Sequence, residues 1–252
     1  MNTRDALLTY VLRLGDNALI TAQRMIERVT GEPELEEELA NANFALDYVG
    51  QARLFYGYAG ELENRGRSED DFAFLRDAQA FRNFLMVEQP NGHFGDAIVR
   101  QVLFESFYVL QLEALATCSD KRLADIAARA VKEIRYHLRH ATQWLIRLGD
   151  GTADSHRRVA GSLDVLGPLA GEFFDGDDVD ELIRDELAGP DLAAIRSRWE
   201  QDVSAVLSEA RLSMPEIVAP RQGGRSGVHS EHLGYLVAEM QHLPRSYPGA
   251  AW

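Results

Sequence analysis

Four acidic or histidine side chains stand within long apolar stretches of the sequence, one in each of four segments: Asp16, Asp47, Glu105 and His137. Helical proteins that bind a pair of iron ions use one Glu from each of two helices and a Glu-x-x-His pair from each of the other two. The three-residue spacing places both ligands of a pair on one helix face, within reach of the same metals. These four residues therefore mark the positions at which a di-iron centre would be held.

Neither Glu-x-x-His pair is intact in this chain. Gly50 stands where a histidine would follow Asp47, and Ile134 stands where a carboxylate would precede His137. The sequence therefore predicts a degenerate site, with no catalytic residue and no metal or other cofactor bound by this chain.

The acidic groups on these apolar helices need another explanation. A buried charge requires a partner, since its transfer out of water is costly. We therefore expect Asp16 and Asp47 to be satisfied by structural hydrogen bonds or ion pairs. Three arginines are candidate partners: Arg13, Arg53 and Arg135.

A live metal site with unusual ligands is the alternative interpretation. Carboxylate and imidazole groups suit iron. A non-standard set would be Asp47, Glu105, Glu133 and His137, and the protein would then be a metal-dependent oxidase or hydroxylase. Glu133 and His137 also lie one helical turn apart, so a hydrogen bond between them or to a neighbour is the simpler explanation.

Other reactive groups give weaker signals. The single cysteine, Cys118, excludes a disulfide framework and a thiolate metal site, and its apolar surroundings favour a packing role. The glycine-rich run 223–227 lacks the preceding strand and the Gly-Lys-Ser/Thr ending of a phosphate loop. In the sequence His229-Ser230-Glu231-His232, we interpret Ser230 as a helix cap and the histidines as structural.

Helical periodicity dominates the chain, and no segment shows the alternation typical of a strand. Apolar residues recur every three or four positions from Leu7 to Val29, and Gly31 is a natural helix end. Further helices are predicted at 33–66, 70–75, 78–87, 94–115, 121–148, 156–174, 191–212 and 230–243, with an acidic turn at 175–180.

This pattern predicts an all-α protein: an up-and-down four-helix bundle with additional packed helices. We expect one domain over residues 1–252, with the loop and helix of 213–252 packed on the bundle or on a partner. In the second helix the predicted core stripe runs through six residues: Leu35, Leu39, Ala42, Leu46, Val49 and Tyr56.

Composition narrows the function classes. The formal charge of −14 opposes binding to nucleic acid or to an anionic membrane surface. No apolar run reaches the roughly 18–20 residues that span a membrane, and the first residues do not form a signal peptide. The sequence therefore predicts a cytoplasmic protein.

Several sequence blocks resemble the PaaC family of phenylacetate degradation, and they extend from near the N-terminus to the last residue. The blocks are Tyr10–Asn17, Leu39–Arg53, Val87–Gly92, Lys132–Arg139, Trp144–Gly151, Val228–Gly234, Glu239–Gln241 and Pro248–Trp252. No single block is specific, but their combination is.

The resemblance implies a ferritin-like fold and a place in the multicomponent phenylacetyl-CoA epoxidase. A homologous catalytic subunit would carry the di-iron centre and bind the CoA thioester, and a reductase would deliver electrons from NADPH. A PaaC-type chain would be the non-catalytic structural subunit of this heteromeric complex. The losses at Gly50 and Ile134 agree with that role.

Two points stay open at this level. Aromatic anchors for the partner could come from the cluster Phe81, Phe84, Leu85 and Met86 or from the tail 247–252, but the same residues could cover the chain's own core. A ferritin-like protein of iron storage or stress is a third function, which cage assembly in solution would reveal.

Overall fold

The computed structural model describes residues 1–216 and 221–250 of the chain. Within those ranges all regular structure is helical and no strand occurs, so the predicted all-α class is confirmed. The chain divides into two compact units: unit 1 comprises Met1–Pro90 and Gly223–Trp252, and unit 2 comprises Asn91–Gln222. The expectation of a single domain stays a prediction. No helix in the described ranges is long and apolar enough to cross a membrane.

Unit 1 is built on two long helices, α1 (Thr3–Ile26) and α2 (Leu35–Glu63), which pack against each other. The Asn2 side chain accepts a hydrogen bond from the amide of Asp5 at 2.9 Å and so caps the start of α1. Short helices α3 (Glu69–Phe74) and α4 (Leu85–Glu88) follow, and α10 (Glu231–Ser246) completes the unit. Its largest fully buried side chains include Tyr48, Phe55, Tyr56, Phe72, Phe81 and Met86.

The predicted core stripe of α2 is wrong at three of its positions. Leu35, Leu39 and Leu46 are 67%, 58% and 64% exposed, whereas Tyr56 is buried as predicted. Apolar side chains occur on both sides of this helix, so the spacing of leucines alone does not reveal which side packs on α1. The side rich in aromatic residues is buried, and the three leucines form what we call the leucine face.

The segment between α3 and α4 also differs from its prediction. Only residues 78–80, in a 3₁₀ turn, and α4 are helical there, and the chain between them is extended. The apolar cluster Phe81, Phe84, Leu85 and Met86 is buried in this segment. It therefore serves the core of this chain and is excluded as an exposed anchor for a partner. In the C-terminal tail, Tyr247 is 59% exposed, and residues 251–252 lie outside the described residues.

Unit 2 contains α5 (Phe94–Leu115), α6 (Lys121–Gly149), α7 (Ala153–Leu166), α8 (Asp178–Leu187) and α9 (Leu192–Glu209). Aromatic rings hold the later helices against α5. The rings of Phe107 and Phe173 stack with centroids 5.0 Å apart. The indole nitrogen of Trp199 donates to the carbonyl of Leu103 at 2.9 Å, so this buried donor is satisfied.

Most long helices appear where the periodicity predicts them, but three boundaries are wrong. The first helix ends at Ile26, and the predicted helix 156–174 is interrupted at Gly167–Pro168, where it tightens to 3₁₀ geometry. The final helix continues through Pro244. In the predicted loop before this helix, residues 217–220 lie outside the described residues.

Helix α8 is an element that the sequence reasoning missed. Its segment was predicted as an acidic turn, yet Asp177 caps the helix and Asp180 completes a capping box. Acidic side chains at this position stabilise the positive N-terminal end of a helix. The aspartates are therefore a helix-start signal.

Candidate functional site

Asp16 lies on α1 inside unit 1 and is completely buried. Its carboxylate accepts a hydrogen bond from the hydroxyl of Tyr56 at 2.6 Å and another from the backbone amide of Arg82 at 2.7 Å. The guanidinium of Arg76 donates from both terminal nitrogens, Nη1 at 3.2 Å and Nη2 in a shorter contact. Both carboxylate oxygens of Asp16 are thus engaged by donors of this chain.

The electrostatics of this cluster confirm an ion pair. Burial, and then the negative charge of Asp16, raise the pKa of Tyr56 well above its usual value, so its hydroxyl stays protonated and donates. Burial alone would lower the pKa of Arg76, but the charge of Asp16 outweighs it and the pKa is raised. Asp16 is therefore an ionised structural residue held by Arg76.

The partner in this ion pair was not among those considered from sequence. Arg53 pairs instead with Glu69 at 3.3 Å, and Arg135 pairs with Glu113 at 2.7 Å. Arg76 is 60 residues from Asp16 and follows a six-residue helix. No periodic pattern links the two positions, so sequence spacing gave no signal for the pair.

Asp47 and Gly50 lie on α2, also in unit 1, and both are half-buried. A Cβ atom added at Gly50 would meet nothing within 4 Å. The glycine is therefore not required by close packing, and the side chain that a metal site would need here is absent although there is space for one.

Glu105 on α5 and His137 on α6 lie in unit 2, and both are fully buried. The His137 Nδ1 atom is 3.9 Å from Oε1 of Glu105, which is too long for a hydrogen bond but close enough for mutual electrostatic interaction. Ile134, one turn before His137, is also fully buried. Glu133 pairs with Arg129 at 3.3 Å.

These donors do not make a metal site within the described ranges. No group of three or more His, Cys, Asp or Glu side chains converges there as a metal would require. Since a di-iron centre needs several carboxylates and two imidazoles, the residues present do not fit one. The absence of metal in this chain stays a prediction.

Unit 1 contains a second buried polar cluster, centred on Glu88. This side chain is fully buried. Its Oε2 atom lies 2.7 Å from His229 Nδ1 and accepts from the amide nitrogen of Asn83 at 2.9 Å. Its Oε1 accepts from the backbone amide of Ser230 at 2.6 Å, and its backbone carbonyl accepts from Arg24.

His229 donates from both ring nitrogens in this cluster. Its Nε2 atom lies 3.0 Å from the carbonyl of Phe81, which only accepts, and the ionised Glu88 also only accepts. Burial would lower the pKa of His229, but the hydrogen bonds to Glu88 and Phe81 outweigh it, so the pKa is raised. The imidazole is therefore held as an imidazolium.

The predicted structural role of His229 is consistent with these contacts, but its buried carboxylate partner was missed. The available signal was a charged residue directly after the otherwise apolar run Leu85–Val87. Ser230 occupies the predicted N-cap position of α10, yet its side chain makes no capping hydrogen bond.

His229 gives a testable pH dependence. Because its pKa is raised in the folded state, its contribution to stability is complete below the unfolded value of about 6.5 and disappears as the pH rises through the folded pKa. We expect the free energy of unfolding of the wild type to fall relative to His229→Gln across that window. Urea unfolding from pH 5 to 9 measures this. His242→Gln, on the exposed side of α10, is the control; a constant difference between wild type and His229→Gln would contradict the assignment.

Cys118 is buried, and its thiol donates to the carbonyl of Asp120 at 3.4 Å. Burial raises the pKa of this thiol. A raised pKa disfavours the nucleophilic thiolate, in agreement with the predicted packing role.

Comparison with known proteins adds to this geometry. A family model described as "Phenylacetic acid catabolic protein" matches residues 1–252. One of the subunits of the 1,2-phenylacetyl-CoA epoxidase of Escherichia coli strain K12 is 45% identical over 248 residues, which cover 98% of this chain and 100% of that protein.

Proposed function

This chain belongs to the phenylacetic acid catabolic protein family, and from that premise we propose that it is a non-catalytic structural subunit of a phenylacetyl-CoA epoxidase in aerobic phenylacetate catabolism. In the proposed complex it pairs with a homologous catalytic subunit that holds the di-iron centre. A reductase component of the same complex supplies the electrons.

The observation that carries the proposal is Ile134. A fully buried apolar side chain stands one turn before the buried His137, where a metal site would need a carboxylate. The Asp16 carboxylate is in turn consumed by Arg76 and Tyr56. Residues that could have served a metal are thus committed to packing and to an internal ion pair, as suits a subunit whose role is support.

The leucine face of α2 supports a permanent partner. Leu35, Leu39 and Leu46 follow one another at intervals of four and seven residues, so they share one side of the helix. Single exposed leucines are ordinary, but a row of three that are each more than half exposed marks a protein interface. We propose that the homologous catalytic subunit packs on this face.

Reconstitution tests the proposed function. The catalytic subunit would be expressed with and without this chain, and epoxide formation from phenylacetyl-CoA would be measured with the reductase and NADPH. We expect that omission of this chain abolishes activity or leaves the catalytic subunit insoluble. A catalytic subunit that is equally soluble and active alone would refute the proposal.

The buried pair Glu105 and His137 favours one second candidate, a metal-dependent oxidase with an unusual iron site. Iron content decides between the two. For a structural subunit, this chain purified alone from iron-supplemented cells retains only traces of iron. Stoichiometric iron that is lost in both Glu105→Ala and His137→Ala would favour the oxidase.

A further inference from the structure

Helix α6 has a charge opposite to that of the rest of the chain. The whole sequence has 26 lysines and arginines against 40 acidic residues. The segment Lys121–Gly149 alone contains seven lysines and arginines and only two acidic residues. More than a quarter of the basic side chains are therefore concentrated in one helix of a strongly acidic protein.

Stability of the helix does not explain this concentration. Lys121 and Arg122 stand in its first turn, where positive charge opposes the helix dipole, and no acidic residue is present in that turn. Basic side chains along most of α6 therefore require another reason than the support of the helix itself.

The exposed side of α6 presents these charges in a row. Lys132, Arg139 and Arg147 are exposed, and their intervals of seven and eight residues keep them on one side of the helix. At a rise of 1.5 Å per residue the row extends for about 22 Å. Tyr136, which is 55% exposed, lies between the first two cations. We call these four residues the basic stripe.

Other cations of α6 are already neutralised by neighbours. Lys121 lies 3.5 Å from Asp125, and Arg129 lies 3.3 Å from Glu133. Arg135 is paired across to α5, where Glu113 lies 2.7 Å away.

The cations of the basic stripe differ. Lys132, Arg139 and Arg147 form no ion pair with any residue of the described ranges. Arg139 lies over the ring of Tyr136 at 5.2 Å, and Arg147 lies over the ring of Trp144 at 5.4 Å. Arginine, tyrosine and tryptophan are the residue types that dominate binding energy at protein interfaces.

We propose that the basic stripe docks the acidic surface of the electron-donating component of the complex. This inference rests on the proposed function and adds a second, separate surface to it. An apolar face such as the leucine face suits a permanent neighbour. A row of solvated charges suits a partner that arrives and leaves, because long-range attraction accelerates association whereas screened surface ion pairs add little affinity.

Charge reversal in the intact complex tests the inference. The triple variant Lys132→Glu/Arg139→Glu/Arg147→Glu would be assembled with the catalytic subunit, and epoxidation would be followed while the purified reductase is titrated. We expect the KM for the reductase to rise on the order of tenfold at low salt with kcat unchanged. The difference should shrink at high salt, where screening is complete within about 3 Å at 1 M.

The control reverses two basic residues elsewhere in the same unit. Arg157→Glu/Arg158→Glu lies on α7, where both arginines pair with Asp154 and are exposed. This variant should leave the KM for the reductase within about twofold of wild type.

Two results would overturn the inference. One is an unchanged KM for the reductase in the triple variant. The other is loss of the catalytic subunit from the triple variant, which would assign the stripe to the permanent interface. If the wild-type chain itself fails to co-purify with the catalytic subunit, the proposed function is refuted separately. Direct binding of the purified reductase to wild-type chain and triple variant by surface plasmon resonance would then decide the role of the stripe.

Discussion

Replacement of Asp16 by alanine is expected to lower the free energy of unfolding by about 3–5 kcal/mol. The substitution leaves the guanidinium of Arg76 buried without its counter-charge and removes the acceptor for the hydroxyl of Tyr56 and the amide of Arg82. Chemical denaturation followed by circular dichroism measures the loss.

Two controls separate the charge from its hydrogen bonds. Tyr56→Phe removes one donor and should cost only about 0.5–1.5 kcal/mol. The double variant Asp16→Leu/Arg76→Met replaces the whole pair by apolar groups, so its cost should be well below the sum of the two single changes. If Asp16→Ala costs no more than Tyr56→Phe, the carboxylate is not the centre of this cluster.

The double variant Leu39→Asp/Leu46→Asp is expected to weaken association with the homologous catalytic subunit by at least a hundredfold, or about 3 kcal/mol. Each aspartate places a charge in a face that the partner would bury, while both positions are solvent-exposed in this chain alone, so its own stability should change little. Affinity is measured with the purified subunits, and epoxidation by the mixture should fall in parallel.

Val165→Asp is the matched control for this prediction. Val165 is 65% exposed, close to the 64% of Leu46, but it lies on α7 of unit 2. The same change of chemistry there should leave association intact. Equal binding by wild type and by the leucine double variant would place the partner on another surface.

The membership of this chain in its family also confirms the ferritin-like fold class that the sequence blocks implied. Helix positions were accessible from sequence because periodicity and caps are local properties. The buried side of α2 was not accessible in this way. Leu35 and Leu46 have the same spacing as a core stripe, and only the aromatic residues on the opposite side, such as Tyr48 and Phe55, indicate which side packs inward.

The candidate site divides along the same line. The losses at Gly50 and Ile134 were visible as residue types at a fixed spacing. The partners of the buried charges were not visible, since the Asp16–Arg76 pair joins positions 60 residues apart and the Glu88–His229 pair joins positions 141 residues apart. Such pairs are determined by tertiary packing, which leaves no periodic trace in a single sequence.

The distance in sequence between Glu88 and His229 also determines when unit 1 can be completed during synthesis. A ribosome that adds 5–20 residues per second needs roughly 7–28 s to translate the 141 residues that separate them. Through that interval the nascent α1–α2 pair exists without the imidazolium that neutralises Glu88, and its leucine face emerges long before α10. A partner already waiting in the polysome would therefore meet the leucine face first and could act as a chaperone for the unfinished chain.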